Sequence, residues 1–206
     1  RGCRLAEDIG IRAKAARLLF QSDDAAMRTL LISLLSDSDA LVRRCACESL
    51  ARRGPLPAAE AVLPLLADED RFTGFAARRL LEQLPIETWA PAVLKQTNNL
   101  AFCRGAVGVL AVSKDPTVST HVIELCQEKL KATPTMDEQL HLLRIVELAV
   151  FHGQLKVDAV PTLPAQLLAL CIDLAQEPIR NLPRVGLHPI AFAMCQQDAV
   201  VRQCSP

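Results

Sequence analysis

The chain has 206 residues, half of them apolar, with 23 basic and 23 acidic side chains. This length and apolar content suit a globular protein with a sizeable core and exclude disorder. A general nucleic-acid binder shows a basic excess and stacking aromatics, whereas here the charge is balanced and aromatic residues make up only 3% of the chain.

The apolar runs are short, as at residues 106–112, whereas a membrane span needs about 20 residues. We therefore expect a soluble segment without a membrane partner. The chain starts at Arg1 with no signal peptide, so we expect a piece of a longer protein and leave its compartment and oligomeric state open. Most of its eight cysteines fall on apolar helix faces, which favours free buried thiols over disulfides.

One pattern occurs three times in the first 84 residues, as DIGIRAKAARLL, DALVRRCACESL and DRFTGFAARRLL. The copies begin at Asp8, Asp39 and Asp70, which are 31 residues apart. An aspartate at a helix start accepts hydrogen bonds from free backbone N–H groups and complements the helix dipole. We therefore predict that the three aspartates cap three helices.

Other positions of the pattern have their own expected roles. Arg12 and Arg43 follow their aspartates by four residues, and we expect each to reach the acidic turn of an adjacent unit; the third copy has Gly74 there. Seven residues after the aspartate an alanine allows close helix approach, and eleven residues after it a leucine fills the layer between units. These residues are Ala15, Ala46 and Ala77, and Leu19, Leu50 and Leu81.

Another helix is predicted before the second and third copies, at residues 25–35 and 58–67, where Leu and Ile recur at helical spacing. Each unit is thus a helical hairpin with an acidic turn, which must stack on its neighbours to bury both apolar faces. The pattern continues less regularly. Further helices are predicted at 87–96, 100–112, 117–131, 136–151, 163–176 and 188–203.

The run LLSDSDALVRRCACESLARRG at residues 34–54 closely resembles the HEAT repeat, in its short form of about 30 residues. LLADEDRFTGFAARRLLEQLP is a second copy, with Thr73 and Gly74 where the family prefers Val and Arg. The resemblance implies an all-α, right-handed α-α superhelix of about five short repeats. We expect one solenoid domain over 1–206, with repeats in 1–153 and an irregular C-terminal cap in 154–206.

Residues 65–94 also look like the HEAT module of large multidomain bacterial proteins that carry c-type haem domains. The shared features are the acidic turn, Arg71-Phe72, the run that begins at Phe75, and the pair Glu87-x-Trp89. This resemblance implies an exported parent protein in which the segment is a spacer or docking arm. No haem-attachment motif lies within the chain, and no cofactor is expected.

Two clusters have the residue types of a metal site. Asp37, Asp39, Cys45 and Cys47 lie close in sequence, but residues two apart on a helix point about 200° apart, so the cysteines cannot hold one ion. We interpret them as structural, and Asp39 as a cap.

The second cluster consists of His121 with Glu124 and Glu138 with His141, each pair three residues apart on a predicted helix. If the two helices are antiparallel, the four side chains meet as ligands. The neighbouring polar residues favour a solvated helix face instead. We predict no metal and keep the cluster as an open alternative.

No catalytic triad pattern and no glycine-rich phosphate loop occur, so we predict no enzymatic activity. Arginine supplies 17 of the 23 basic side chains. In HEAT proteins the second helices line the concave face, so the resemblance implies an arginine-bearing inner ridge. The alternative is that these arginines tie the turns internally or pair with Glu48 and Glu82. The candidate partner-binding residues are Arg44, Arg52, Arg78, Arg79 and Arg104.

The sequence therefore favours a non-enzymatic scaffold that docks another protein, or another domain of its parent chain, and no nucleic acid. The alternative is an enzyme or ligand binder on the same scaffold. HEAT-like folds include alkylpurine DNA glycosylases, which need a basic groove with aromatic residues, and bilin lyases, which need a pigment pocket.

Overall fold

The structure is a computed structural model, and it describes residues 8–53, 56–113, 115–132, 134–155 and 165. The chain divides into two compact units, Arg1–Gly153 and Gln154–Pro206. The regular structure of the described residues is helical throughout, which confirms the all-α solenoid class. The helix predicted at 188–203 lies outside the described residues, and so does that at 163–176 apart from residue 165. A single domain over 1–206 therefore stays a prediction.

Nine α-helices lie in the described part of the first unit. They are α1 (Ile9–Leu19), α2 (Ala25–Ser33), α3 (Ala40–Arg52), α4 (Ala59–Val62), α5 (Arg71–Leu81), α6 (Ala90–Leu94), α7 (Asn99–Val112), α8 (Pro116–Lys131) and α9 (Met136–Gly153). None of the described helices is long and apolar enough to cross a membrane.

Each of α1, α3 and α5 starts directly after one of the repeated aspartates. The carboxylates of Asp8, Asp39 and Asp70 each accept a hydrogen bond from a backbone N–H two or three residues later, at 2.8–3.0 Å. These bonds satisfy N–H groups that have no partner within the helix. The predicted capping role of the three aspartates is confirmed.

Arginine–aspartate pairs join consecutive repeats. Nε and Nη2 of Arg12 donate to the two carboxylate oxygens of Asp37, each at 3.0 Å. Nε of Arg43 donates to Asp68 at 2.7 Å, again 25 residues further along the chain. The predicted reach of these arginines to the turn of the adjacent unit is confirmed.

The Arg12–Asp37 pair is largely shielded from solvent, since the two side chains are 10% and 9% exposed. Burial by itself raises the pKa of Asp37. The hydrogen bonds from Arg12 and from the N–H of Asp39 outweigh that effect and hold the pKa below its ordinary value. The carboxylate is therefore stabilised in its charged form.

The third copy differs because Gly74 makes room for a side chain from α7. A Cβ at Gly74 would lie 2.3 Å from Nη1 of Arg104. That Nη1 donates to the backbone carbonyl oxygens of Leu66 at 2.9 Å and Asp68 at 2.6 Å. In the third copy the arginine therefore lies on the later helix and binds the earlier turn, whereas Arg12 and Arg43 lie on the earlier helix and bind the later turn.

The first helices of the second and third hairpins end in 3-10 turns. The helix predicted at 25–35 is confirmed as α2 followed by Leu34–Ser36, and that at 58–67 as α4 followed by Leu63–Ala67. Pro64 lies at the second change of geometry, because it has no N–H for an α-helical hydrogen bond.

The helix predicted at 87–96 is present in two parts. A 3-10 turn at Ile86–Thr88 is separated from the five-residue α6 by Trp89, whose φ of −133° leaves the helical range. The indole is fully buried, and its Nε1 donates to the carbonyl oxygen of Leu84 at 3.4 Å. Burial of this large ring in the core requires a backbone conformation at Trp89 that interrupts the helix.

The core follows the repeat pattern. Leu50 and Leu81 are 2% and 0% exposed, as expected of the layer between units. The four cysteines within the described residues are free and buried, as predicted, and burial raises the pKa of the Cys47 and Cys103 thiols to about 12. These four are Cys45, Cys47, Cys103 and Cys126.

Candidate functional site

The capped helices α3 and α5 expose large apolar side chains to solvent. Leu41, Phe72 and Phe75 are 42%, 47% and 57% exposed. The opposite side of α5 is buried in the core through residues such as Ala77 and Leu80. The exposed phenylalanines therefore lie on the solvent side of a well-packed helix.

Arginine side chains lie over both of these phenylalanine rings. The guanidinium carbons of Arg44 and Arg71 are 5.1 Å and 4.6 Å from the centroid of Phe72, and that of Arg78 is 4.9 Å from Phe75. These are cation–π distances. Arg44 belongs to α3 and Arg71 to α5, so two consecutive repeats meet at Phe72. We define the arginine–phenylalanine surface as Leu41, Arg44, Arg71, Phe72, Phe75, Arg78 and Arg79.

Two carboxylates hold three of the surface arginines. Nε of Arg44 donates to Glu48 at 2.7 Å, and Arg78 and Arg79 both donate to Glu82. The alternative expectation of pairing with these glutamates is thus confirmed. This pairing leaves donors on the surface, because a guanidinium has five N–H donors and each of these three arginines uses only part of them. Further N–H donors therefore remain beside exposed aromatic rings.

The structure brings together three of the five predicted partner-binding residues, Arg44, Arg78 and Arg79. Arg52 lies in the last turn of α3, with its guanidinium 5.8 Å from the ring of Phe20. Arg104 is bound to backbone carbonyls beneath Gly74, and burial lowers the pKa of its guanidinium against the opposing effect of nearby aspartates. The partner-binding role of all five stays a prediction.

Phe72 and Phe75 are not among the predicted partner-binding residues. They belong to the family-like run at residues 65–94, but that resemblance does not predict their exposure. A signal was present: they lie two and five residues after the Asp70 cap, on the face opposite the repeated alanine and leucine.

The four side chains of the alternative metal cluster, His121, Glu124, Glu138 and His141, do not group as ligands. Nδ1 of His121 lies 3.5 Å from Glu124, and both side chains are more than half exposed. Glu138 accepts hydrogen bonds from Thr135 and Asn99 instead, each at 2.9 Å. The spacing Thr135-x-x-Glu138 is that of a capping box, which explains why Glu138 binds at the start of α9. Nowhere in the described ranges do three His, Cys, Asp or Glu residues group as metal ligands.

A mostly apolar open groove of about 600 Å³ runs between α6, α7 and α8. Its volume falls within the range of ligand pockets, roughly 300–1,000 Å³. Its ionisable lining residues are Glu87, Lys95, Asp115 and His121. Asp115 caps α8 and bonds to Thr117, so its carboxylate already has a structural role.

Residues 4–84 match the family model described as HEAT repeats. This segment contains the three capped helices and both arginine–aspartate ties, so the resemblance expected from the sequence holds for this part of the chain. HEAT repeats commonly serve as protein-interaction scaffolds. The match gives no support to a parent protein with haem domains. No curated protein and no solved structure matches the chain.

Proposed function

We propose that the protein is a non-enzymatic docking module whose arginine–phenylalanine surface binds an acidic segment of another protein, or of another domain of its parent chain. The observation that carries the proposal is Phe72, which is exposed and has the guanidinium groups of Arg44 and Arg71, from consecutive repeats, over its ring. A large exposed aromatic ring flanked by guanidinium groups has the composition of an interface core.

The mechanism we propose relies on pre-orientation. Stacking on the rings and pairing with the glutamates restrict the arginine rotamers before a partner arrives, which lowers the entropy that binding must overcome. The remaining N–H donors then bind carboxylates of the partner. Phe72 and Phe75 supply apolar anchor contacts at the centre, and the surrounding contacts exclude water.

The test changes exposed side chains of the arginine–phenylalanine surface and leaves the buried residues of α5 unaltered. Arg71→Gln, Phe75→Ser and Arg79→Gln change exposed side chains only, whereas reversing Arg78 and Arg79 together would crowd new carboxylates around Glu82. Wild-type and triple-variant protein serve as bait in source-cell lysate, with quantitative mass spectrometry as readout. We expect a partner with an acidic segment whose capture, and whose affinity as purified protein, falls at least about tenfold.

Arg144→Gln is the matched control, because this exposed arginine on α9 also pairs with a glutamate. A partner that binds wild type, triple variant and control equally would refute the proposed surface. Steeply salt-dependent DNA binding would favour the glycosylase-like alternative, and a pigment absorbance in the purified protein would favour the bilin-lyase-like one.

A further inference from the structure

The solvent-exposed side chains of α5 lie on one side of the helix. Arg71, Phe72, Phe75 and Arg79 are exposed and Arg78 is half-buried, whereas the other residues of α5 are buried. Since 3.6 residues make a turn, these five positions fall within about 120° of the helix circumference, with Phe75 in the middle. The part of the arginine–phenylalanine surface that belongs to α5 is therefore a single continuous helix face.

The guanidinium groups of this face form two sets, one towards each end of the helix. The first set, Arg44 of α3 and Arg71, lies over the ring of Phe72. The second set is the neighbouring pair Arg78 and Arg79. The α5 positions of the two sets are seven residues apart, so two helical turns, about 10.5 Å, separate them along the axis.

Each set presents N–H donors to solvent. Arg71 stacks on Phe72 and forms no ion pair with a described carboxylate. The side chain of Arg79 is 58% exposed, whereas that of Glu82, which it binds, is only 7% exposed. The glutamate is therefore shielded from a partner while the arginine is not. An occupant of this face gains most from one acid at each end and apolar contacts between them.

The distance between the two sets selects the conformation of the occupant. In an α-helix, residues seven apart lie on the same side at about 10.5 Å, and the residues three and four after the first lie between them. In a β-strand the residues of one face recur every second position, which gives spacings of about 6.7 Å and 13 Å. A helix alongside α5 thus places two acids and an apolar pair in register, and a strand does not.

Two other occupants of this face are disfavoured. The α5 helix packs on α3 at one side and on α7 at the other. A repeat added at either end of the stack would therefore not reach its exposed face. A second copy of the chain, paired through the same face, would bring the arginines of both α5 helices together and repel.

We infer that the acidic segment bound by the arginine–phenylalanine surface is an amphipathic α-helix that lies along α5. It has Asp or Glu at two positions seven residues apart and an apolar pair between them. The inference rests on the proposed function and names the conformation and spacing of the segment. The two acids bind the two guanidinium sets, and the apolar pair packs against Phe72 and Phe75.

The test uses two fluorescent, alanine-rich synthetic peptides of about 18 residues, or five turns. Both contain the sequence Glu-x-x-Leu-Leu-x-x-Glu. In the second peptide two alanines on the opposite side are replaced by proline, which breaks the helix, and circular dichroism checks the difference. Fluorescence anisotropy with the full chain is expected to show the helical peptide binding at least about tenfold more tightly.

Charge exchange tests the register of the helix on α5. Arg71→Glu should weaken binding of the helical peptide by about tenfold, because one acid then meets a like charge. Replacement of one peptide glutamate by lysine should restore binding. Only one of the two single-lysine peptides should do so, since the helix lies along α5 in one direction. Arg144→Gln on α9 is the control and should leave binding unchanged.

Equal binding of the helical and proline peptides, with both lost in the Arg71→Gln, Phe75→Ser, Arg79→Gln variant, would overturn the helix but keep an acidic docking segment. The proposed function would then stand without this inference. No binding of either peptide, no effect of Arg71→Glu, or no restoration by either lysine peptide would also overturn the inference. The proposed function itself is decided separately, by the capture of a partner from lysate.

Discussion

Leu50 on α3 is 2% exposed and fills the layer between repeats. We predict that Leu50→Asp lowers the free energy of unfolding by about 3–5 kcal/mol, because an unpaired carboxylate is forced into an apolar layer. Urea unfolding followed by circular dichroism measures the change. Leu41→Asp, on the exposed side of the same helix, is the control and should shift stability by less than about 0.5 kcal/mol. An unchanged urea midpoint for Leu50→Asp would show that the repeat register is wrong.

At the scale of residues, the sequence predicts what depends on short, fixed spacing. The caps at Asp39 and Asp70 and the tie from Arg43 follow from positions that recur every 31 residues. The tie from Arg104 does not, because it lies outside that register and becomes apparent only where Gly74 leaves space in the fold. The exposure of Phe75 is also a property of packing, since an aromatic residue in a helix is equally suited to a core.

At the scale of elements, α6 and α7 meet at a glycine. A Cβ at Gly105 would lie 2.5 Å and 2.8 Å from the two γ-carbons of Val93, a buried and stiff side chain. We predict that Gly105→Ala lowers the free energy of unfolding by about 1–3 kcal/mol although alanine favours helices, because the packed layer cannot open without strain. Chemical unfolding measures the change.

Gly108 on the same helix is the comparison for that prediction. Its Cβ would meet Arg78 and Trp89 at 3.2 Å and 3.3 Å, distances that a small shift accommodates. Gly108→Ala should therefore cost less than Gly105→Ala. The reverse order would mean that α6 moves more easily than its buried Val93 implies.

The elements also show where sequence periodicity fails. Long helices such as α7, α8 and α9 are predicted almost to their ends, because many turns repeat the apolar spacing. The short α6 is not, since fewer than two turns carry little periodicity and the burial of Trp89 decides the local backbone.

At the scale of the whole molecule, the pH below which the fold loses stability is set by the buried and capping aspartates. The pKa of Asp37 lies below its ordinary value, and so does that of Asp70, where hydrogen bonds from Thr73 outweigh the opposing effect of burial. A depressed folded-state pKa contributes stability that is complete above the unfolded pKa of about 3.9 and is lost as pH falls through the folded value. We predict a steep loss of stability below about pH 4.

Urea unfolding at a series of acid pH values measures this dependence. Asp37→Asn should be less stable than wild type at neutral pH, because the charged tie to Arg12 is gone. Its stability should then change less as the pH falls below about 4, because the wild-type carboxylate loses its contribution between the unfolded pKa of about 3.9 and its lower folded pKa, whereas asparagine does not titrate. Parallel profiles for the two proteins would mean that Asp37 titrates normally in the fold.

The overall architecture of the first unit was predictable because stacked repeats contact mainly their sequence neighbours. The pattern at Asp8, Asp39 and Asp70 thus encodes both the helices and the way in which they stack. The binding surface was only partly predictable, since the arginines follow from composition and resemblance whereas their gathering around Phe72 depends on two adjacent helices meeting at one ring.

The ties from Arg12 to Asp37 and from Arg43 to Asp68 have a consequence for how such a protein can change length. Removal of residues 38–68 would join Asp37 to Glu69 and Asp70, so the turn would keep an acceptor for Arg12 and a cap for the next helix. A duplication of the same segment would add one more link of the same kind. The gene can therefore gain or lose segments of 31 codons here while the arginine–aspartate contact between repeats is preserved. This holds as far as Gly74, where the contact is made instead by Arg104 from the later helix.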